Sequence, residues 1–121
     1  MTSQRRQALL QAGILVDEAL ERFMGNEALL EKFLHKFLED DNYQRLVQAI
    51  NHEDYDDALR AAHTLKGVCG NLSMHELYRL TGQQVELFRQ QKPEEAKALL
   101  PAVEQALENI KAAVGGGDAA I

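Results

Sequence analysis

His63 is the residue whose neighbours are best suited to covalent chemistry. It lies in DYDDALRAAHTLKGVCGNL, a segment with the composition of an α-helix. Lys66, Gly67 and Gly70 follow it at i+3, i+4 and i+7, so they share one helix face with the imidazole. A histidine with the ordinary pKa of about 6.5 presents a nucleophilic ring nitrogen at neutral pH. Because Lys66 can neutralise phosphoryl oxygens, the pattern favours a phosphoryl group carried on His63.

The two glycines on this face weaken the helix, which indicates that they serve a partner. A glycine in a helix interior costs about 1 kcal/mol relative to alanine. Gly70 could end the helix as a cap, but Gly67 lies three residues earlier, in the middle of the pattern. Glycine lets the backbone of a partner approach closely. We therefore assign partner docking to Gly67, Gly70 and Leu59. A surface histidine without such neighbours is usually only solvated, so the functional interpretation of His63 depends on them.

The opposite face of the same segment is apolar and must be buried. Its members recur at helical spacing and are Ala58, Ala61, Ala62, Leu65, Val68, Cys69 and Leu72. Strong helix formers dominate the rest of the chain, which contains only two prolines. We therefore predict an all-α protein, an antiparallel four-helix bundle with short N-terminal helical segments that cover one end.

Capping residues and prolines predict where the helices begin and end. The predicted helices run from Val16 to Met24, from Asn26 to Asn51 with a bend near Asp41, from Asp54 to Leu72, from Ser73 to Gln90, and from Pro93 to Val114 with a kink or restart at Pro101. Asn26 and Asp54 are predicted N-caps, and Ser73 with Glu76 has the form of a capping box. Residues 1–13 are predicted to be a helical extension, residues 14–114 the bundle, and residues 115–121 a flexible Gly-rich tail.

The overall composition argues against several functional classes. The formal net charge is −6, whereas a nucleic-acid partner favours clustered Lys and Arg. No apolar run approaches the roughly 18 residues of a membrane span. Arg5 and Arg6 precede a short apolar stretch, but Gln11 interrupts it, so we expect no signal peptide. Cys69 is the only cysteine, which fits a cytoplasmic protein, and we expect a monomer because no spare apolar stripe demands a dimer.

A metal-binding bundle is the main alternative from another class. Di-iron bundles require two Glu-x-x-His elements, and no glutamate in this chain has a histidine three residues after it. Glu31 and His35 are spaced i, i+4 and face away from the apolar stripe. A G-x-x-x-x-G-K-[ST] phosphate loop is also absent. We expect no metal and no other cofactor on this chain, with His35, His52 and His75 solvated.

The segment AHTLKGVCGNLSMHEL resembles the motif of histidine-containing phosphotransfer (HPt) domains, and the resemblance extends over most of residues 14–114. By position, it implies that His63 accepts the phosphoryl group and that Lys66 contacts it. It also implies that Gly67 gives the partner access, while Gly70 falls where small residues are common. Ser73 departs from the glycine of many members, but it is small, so we expect little consequence.

The resemblance also indicates which residues orient the imidazole. Gln83, Gln84 and Glu86 fall near the family position whose polar side chain does this. Gln84 is notable because it interrupts an apolar row. An equally acceptable interpretation is that all three are ordinary solvated residues of a helix.

The function that the resemblance implies is that of a phosphorelay intermediate. HPt domains exchange a phosphoryl group with an aspartate of a receiver domain, in response regulators or hybrid histidine kinases, and have no kinase activity of their own. They bind no ATP, and the Mg²⁺ belongs to the receiver. The alternative is a docking-only module that binds a receiver or kinase domain without being phosphorylated, against which the sequence offers only His63 and Lys66.

Overall fold

A computed structural model describes residues 1–116. These residues form eight α-helices and no β-strand, with the bounds α1 Ser3–Gln11, α2 Val16–Arg22, α3 Glu27–Phe37, α4 Asn42–Asn51, α5 Tyr55–Asn71, α6 His75–Arg89, α7 Pro93–Ala98 and α8 Leu100–Gly116. Of the predicted Gly-rich tail, Gly115 and Gly116 belong to α8. Residues 117–121 lie outside the described residues.

The helices assemble into the predicted all-α antiparallel four-helix bundle. α5 packs along α4 and α6, while α8 packs against α6, α3 and α1. One cluster of core residues joins Leu65 of α5 to α1, α2, α3 and α8. A second cluster joins Val85 of α6 to α4, α5 and α7. Within residues 1–116, none of the helices has both the length and the apolar character needed to span a membrane.

Two predicted N-caps and the predicted restart at proline are confirmed. The side chain of Asn26 accepts the N–H of Leu29 at 3.0 Å, and that of Asp54 accepts the N–H of Asp57 at 3.1 Å. Pro101 lies in the first turn of α8, where its missing N–H is not needed. These signals are local, and each works within three residues of its own position.

The long helix predicted from Asn26 to Asn51 is broken between α3 and α4. The carboxylate of Asp40 accepts the backbone N–H of Asn42 at 2.9 Å and its side-chain Nδ2 at 3.0 Å. This local turn gives the first amide of α4 the acceptor that a continuous helix would have supplied. The bend expected near Asp41 is therefore a full interruption.

The capping box predicted at Ser73 is wrong. α6 begins two residues later, and Ser73 itself has a φ of 54°, in the left-handed region that favours glycine. Its hydroxyl donates to Oε1 of Glu18 at 3.0 Å and accepts a hydrogen bond from Arg22. The pKa of the Glu18 carboxyl lies below its ordinary value. The hydrogen bond with Arg22 makes the largest contribution to this shift, and the hydrogen bond with Ser73 makes the next largest. Ser73 thus joins the loop after α5 to α2.

The N-terminal segments cover one end of the bundle, as predicted. The loop between α1 and α2 pairs with the loop between α5 and α6 through an isolated antiparallel bridge of Ile14 and Met74. The N–H of Leu15 donates to the carbonyl of Ser73, and the N–H of His75 donates to that of Gly13, both at 2.9 Å. Ile14 and Met74 are fully buried, so this end of the bundle is closed by backbone bonds and by apolar packing.

Arg5 connects α1 to two other helices from a buried position. Its side chain is only 2% exposed, and Nε and Nη2 donate to the two carboxylate oxygens of Glu31 at 3.0 and 2.8 Å. Nη1 donates to the backbone carbonyls of Ala113 and Val114 near the end of α8, at 2.6 and 3.0 Å. A cation at a helix C-terminus is favourable because the carbonyls there lack intrahelical donors.

Candidate functional site

α5 carries the candidate site on a helix that is close-packed on its inner side. The predicted core stripe is buried along its whole length except at Val68, which is half-buried. Three of its members are alanines, Ala58, Ala61 and Ala62, whose small side chains let neighbouring helices come close. α5 is thereby fixed between α4 and α6, so its outer face is presented on a rigid support.

His63 and Gly67 lie together on the exposed outer face of α5. His63 is near the middle of the helix, and in residues 1–116 no hydrogen bond or ion pair engages its ring. A Cβ built at Gly67 would meet nothing within 4 Å, so packing inside this protein does not require glycine there. The imidazole therefore stands in open space beside a stretch of bare backbone.

Gly70 has a different surrounding from Gly67. It is half-buried, and a Cβ at this position would lie 3.0 Å from Cε2 of Tyr78 on α6. Glycine is thus explained here by the packing of the Tyr78 ring on α5. Leu59, also half-buried, packs against the core cluster that contains Val85. A docking role for Gly70 or Leu59 stays a prediction beside these internal contacts.

Lys66 lies on the edge where α5 meets α6. Its side chain is half-buried, with the ammonium 5.5 Å from the centroid of the Tyr78 ring. Its stem passes over Gly82, where a Cβ would lie 3.6 Å from Cε of Lys66. Sequence patterns did not identify Tyr78 as part of the site. The one available signal was an aromatic residue on a polar face of α6.

The three candidates for orienting the imidazole are separated by the structure. Gln83 and Glu86 are exposed and line an open groove together with Lys66, and Glu86 also pairs with Arg89 at 3.0 Å. Gln84 is fully buried on the other side of α6, where its Nε2 donates to the carbonyl of Ala96 at 3.1 Å. This contact corrects the expectation for Gln84, whose amide is engaged with α7. For Gln83 and Glu86 the role stays a prediction.

We expect Gln84→Leu to leave the free energy of unfolding unchanged or to raise it by up to about 1 kcal/mol. The substitution removes one hydrogen bond, but the carbonyl of Ala96 also accepts the N–H of Leu99 at 3.2 Å. It also removes Oε1 of Gln84, a buried atom without a partner among the described residues. Urea unfolding measures the change, with the exposed Gln83→Leu as the matched control. A loss of phosphoryl acceptance in Gln84→Leu would return this residue to the site.

The remaining chemically reactive side chains lie apart from this face. Cys69 is buried in the core, and burial raises the pKa of its thiol far above the ordinary value, so the thiol is inert. Nδ1 of His35 and of His52 lies 2.8 and 2.7 Å from a backbone carbonyl one turn earlier. Within residues 1–116, no three His, Cys, Asp or Glu side chains are grouped so that they could hold a metal ion.

An apolar groove runs along the other flank of α5. Phe23, Phe33 and Val68 line it, and the two phenylalanine rings are 5.4 Å apart between centroids. A smaller cleft lined by Gly67 shares Arg22 and Asn71 with this groove, so the two form one continuous surface. The exposed histidine face thus adjoins an apolar surface that belongs to α2, α3 and α5.

A comparison with protein families matches most of the chain to one family model. A family model described as Hpt domain matches residues 28–113. The matched range is well over half of the 121 residues and includes α4 to α7 completely, with His63 near its middle. No curated protein and no solved structure matches the chain.

Proposed function

Because the chain belongs to the Hpt domain family, whose members are phosphotransfer modules of two-component phosphorelays and not kinases, we propose that His63 carries the phosphoryl group. The partner in this proposal is the receiver domain of a response regulator or hybrid histidine kinase. The observation that carries the proposal is the open position of His63, exposed at mid-helix beside a glycine that internal packing does not require.

The proposed reaction is an exchange between two nucleophiles. A ring nitrogen of His63 attacks the phosphorus of an aspartyl phosphate, a P–N bond forms, and the P–O bond to the aspartate breaks as its carboxylate leaves. The reverse reaction regenerates the aspartyl phosphate. Mg²⁺, which we assign to the receiver and not to this chain, stabilises the charge of the phosphoryl oxygens. Lys66 supplies a further positive charge from the histidine side.

The surface around His63 supports docking of a folded partner. The exposed backbone at Gly67 lets another chain come within contact distance of the imidazole. The adjoining groove offers aromatic and aliphatic side chains that a partner can desolvate, within a rim of charged residues that includes Lys36 and Asp40. Phe33, which lines this groove, is 40% exposed. We propose that a receiver domain covers this surface when it docks. We also propose that this exchange takes place in the cytoplasm.

Transfer from a radiolabelled phospho-receiver tests the proposal directly. We expect the full chain to take up label that is lost in acid and retained in alkali, as a P–N bond requires. Several receivers should be tried, each with Mg²⁺ and without it. Binding of a receiver without any uptake of label would instead establish the docking-only alternative.

We expect Gly67→Gln to slow phosphoryl acceptance by about ten- to a hundred-fold, because the added side chain displaces the receiver from the imidazole. The free energy of unfolding should not fall, since the new side chain enters open space and a helix-interior glycine is removed. Quenched time courses of phosphoryl transfer measure the rate, and urea unfolding measures the free energy of unfolding. Gly67→Ala is the matched control, with a similar gain in stability and little loss of rate. Equal rates in Gly67→Gln and wild type would refute the close-approach argument.

A further inference from the structure

Lys66, Tyr78 and two glycines pack together where α5 meets α6. The Tyr78 ring lies 5.5 Å from this ammonium, measured to the ring centroid. Gly82 leaves the space that the lysine stem occupies, and Gly70 leaves the space that the ring occupies. A Cβ at Gly70 would lie only 3.0 Å from the ring. The Lys66 stem packs on Gly82 of α6, and the Tyr78 ring packs on Gly70 of α5. These two contacts set the position of the Lys66 side chain.

The ring holds Lys66 without offsetting its charge. On the same surface, Arg79 pairs with Glu76 and Arg89 pairs with Glu86. Among residues 1–116, Lys66 has no carboxylate partner. An aromatic face attracts a cation through its quadrupole and carries no net charge. The Tyr78 ring thus restricts the Lys66 side chain, while its full positive charge remains available to an anion.

We propose that Tyr78 is a positioning residue for phosphoryl exchange, which it serves by holding the Lys66 side chain on the α5–α6 edge, one turn along α5 from His63. The inference rests on the proposed function of His63 and Lys66. A solvated lysine gives up much rotamer freedom when it binds an anion. Contact with the Tyr78 ring removes part of that freedom before the phosphoryl group arrives. A carboxylate in place of the ring would order the lysine as well, but it would compete with the phosphoryl oxygens.

Three substitutions at Tyr78 separate these effects in the transfer assay. We expect Tyr78→Leu, which keeps apolar packing but lacks the π face, to slow phosphoryl acceptance by about two- to five-fold. Tyr78→Phe keeps the aromatic π face and should accept the phosphoryl group at the wild-type rate. Tyr78→Glu places a carboxylate beside the ammonium and should be slower than Tyr78→Leu. A rate in Tyr78→Leu equal to or above that of wild type would overturn the inference.

A double-mutant cycle shows whether Tyr78 acts through Lys66. In a Lys66→Gln background, Tyr78→Leu should cause no further loss of rate, since there is no ammonium left to hold. An undiminished loss in that background would mean that Tyr78 acts by another route, and the inference would fail. Urea unfolding of each variant accounts for any general loss of folded protein.

A measurement on the unphosphorylated protein keeps this inference separate from the proposed function. The side-chain CH₂ protons of Lys66 should show an upfield ring-current shift in wild type and Tyr78→Phe and lose it in Tyr78→Leu. NMR reads this shift with no receiver present, so it does not depend on whether His63 is the acceptor. Absence of the shift in wild type would overturn the placement of Lys66. Failure of His63 to take up label would overturn the proposed function instead.

Discussion

His63→Gln is expected to abolish phosphoryl acceptance and to leave the stability of the fold almost unchanged. The amide of glutamine is not nucleophilic, so no P–N bond can form at this position. Because the side chain at residue 63 is exposed and makes no internal hydrogen bond among residues 1–116, the free energy of unfolding should change by less than about 0.5 kcal/mol. Label uptake tests the loss of phosphoryl acceptance, and urea unfolding of the same preparation tests the unchanged stability.

Two of the other three exposed histidines provide matched controls for this experiment. His35→Gln and His52→Gln each remove an exposed imidazole whose Nδ1 lies close to a backbone carbonyl. Both variants should take up label at the wild-type rate. Alkali-stable label that survives His63→Gln and disappears in one of the controls would move the acceptor to that residue. A large loss of stability in His63→Gln would contradict the exposed position of the ring.

The largest effect on stability is expected for Arg5→Ala, at about 3 kcal/mol. The substitution leaves the partly buried Glu31 without its guanidinium and withdraws the donor from the carbonyls of Ala113 and Val114. A buried charge or carbonyl left without a partner costs more than the net gain of the bond that was lost. Urea unfolding, followed by circular dichroism, measures the loss.

Arg6→Ala is the appropriate control for the Arg5 experiment. Arg6 is the next residue of α1, but it pairs at the surface with Asp17, whose side chain is 90% exposed. Exposed pairs of this kind contribute about 0–1 kcal/mol, so the change should be small. Equal losses for Arg5→Ala and Arg6→Ala would show that the buried contacts of Arg5 do not stabilise the fold.

The correct predictions from sequence concern features that neighbouring residues determine. The caps at Asn26 and Asp54 act on amides three residues away, and the apolar stripe of α5 follows from helical spacing alone. The outer position of His63 and Gly67 follows from the same spacing. Four amphipathic helices with short connections have few ways to bury their stripes, so the bundle followed as well.

The wrong predictions concern side chains whose partners lie far along the chain. Ser73 has the pattern of a capping box, yet its hydroxyl is bound by Glu18 and Arg22, more than fifty residues earlier. Gln84 breaks an apolar row, but only the packed fold shows that its amide meets α7. In the sequence, Arg5 is notable only as one of two arginines that precede a short apolar stretch. No local pattern indicates that it reaches the end of α8.

The glycines of the candidate site illustrate the same limit. Sequence spacing assigned Gly67 and Gly70 one common role, since both lie on the histidine face. In the fold a Cβ at Gly67 would enter open space, while a Cβ at Gly70 would press on the Tyr78 ring. Packing between helices thus gives two residues of one type on one face different reasons for being glycine.

The pairing of the two loops at Ile14 and Met74 has a consequence for the speed of the proposed transfer. Separating the α1–α2 loop from the α5–α6 loop would break the backbone bonds of Leu15 and His75 and expose two fully buried apolar side chains. In the proposed function, the face that would meet a receiver is therefore already formed before the encounter, and little chain entropy would be lost on association. We therefore expect the proposed transfer to take place as a rapid exchange between two rigid bodies.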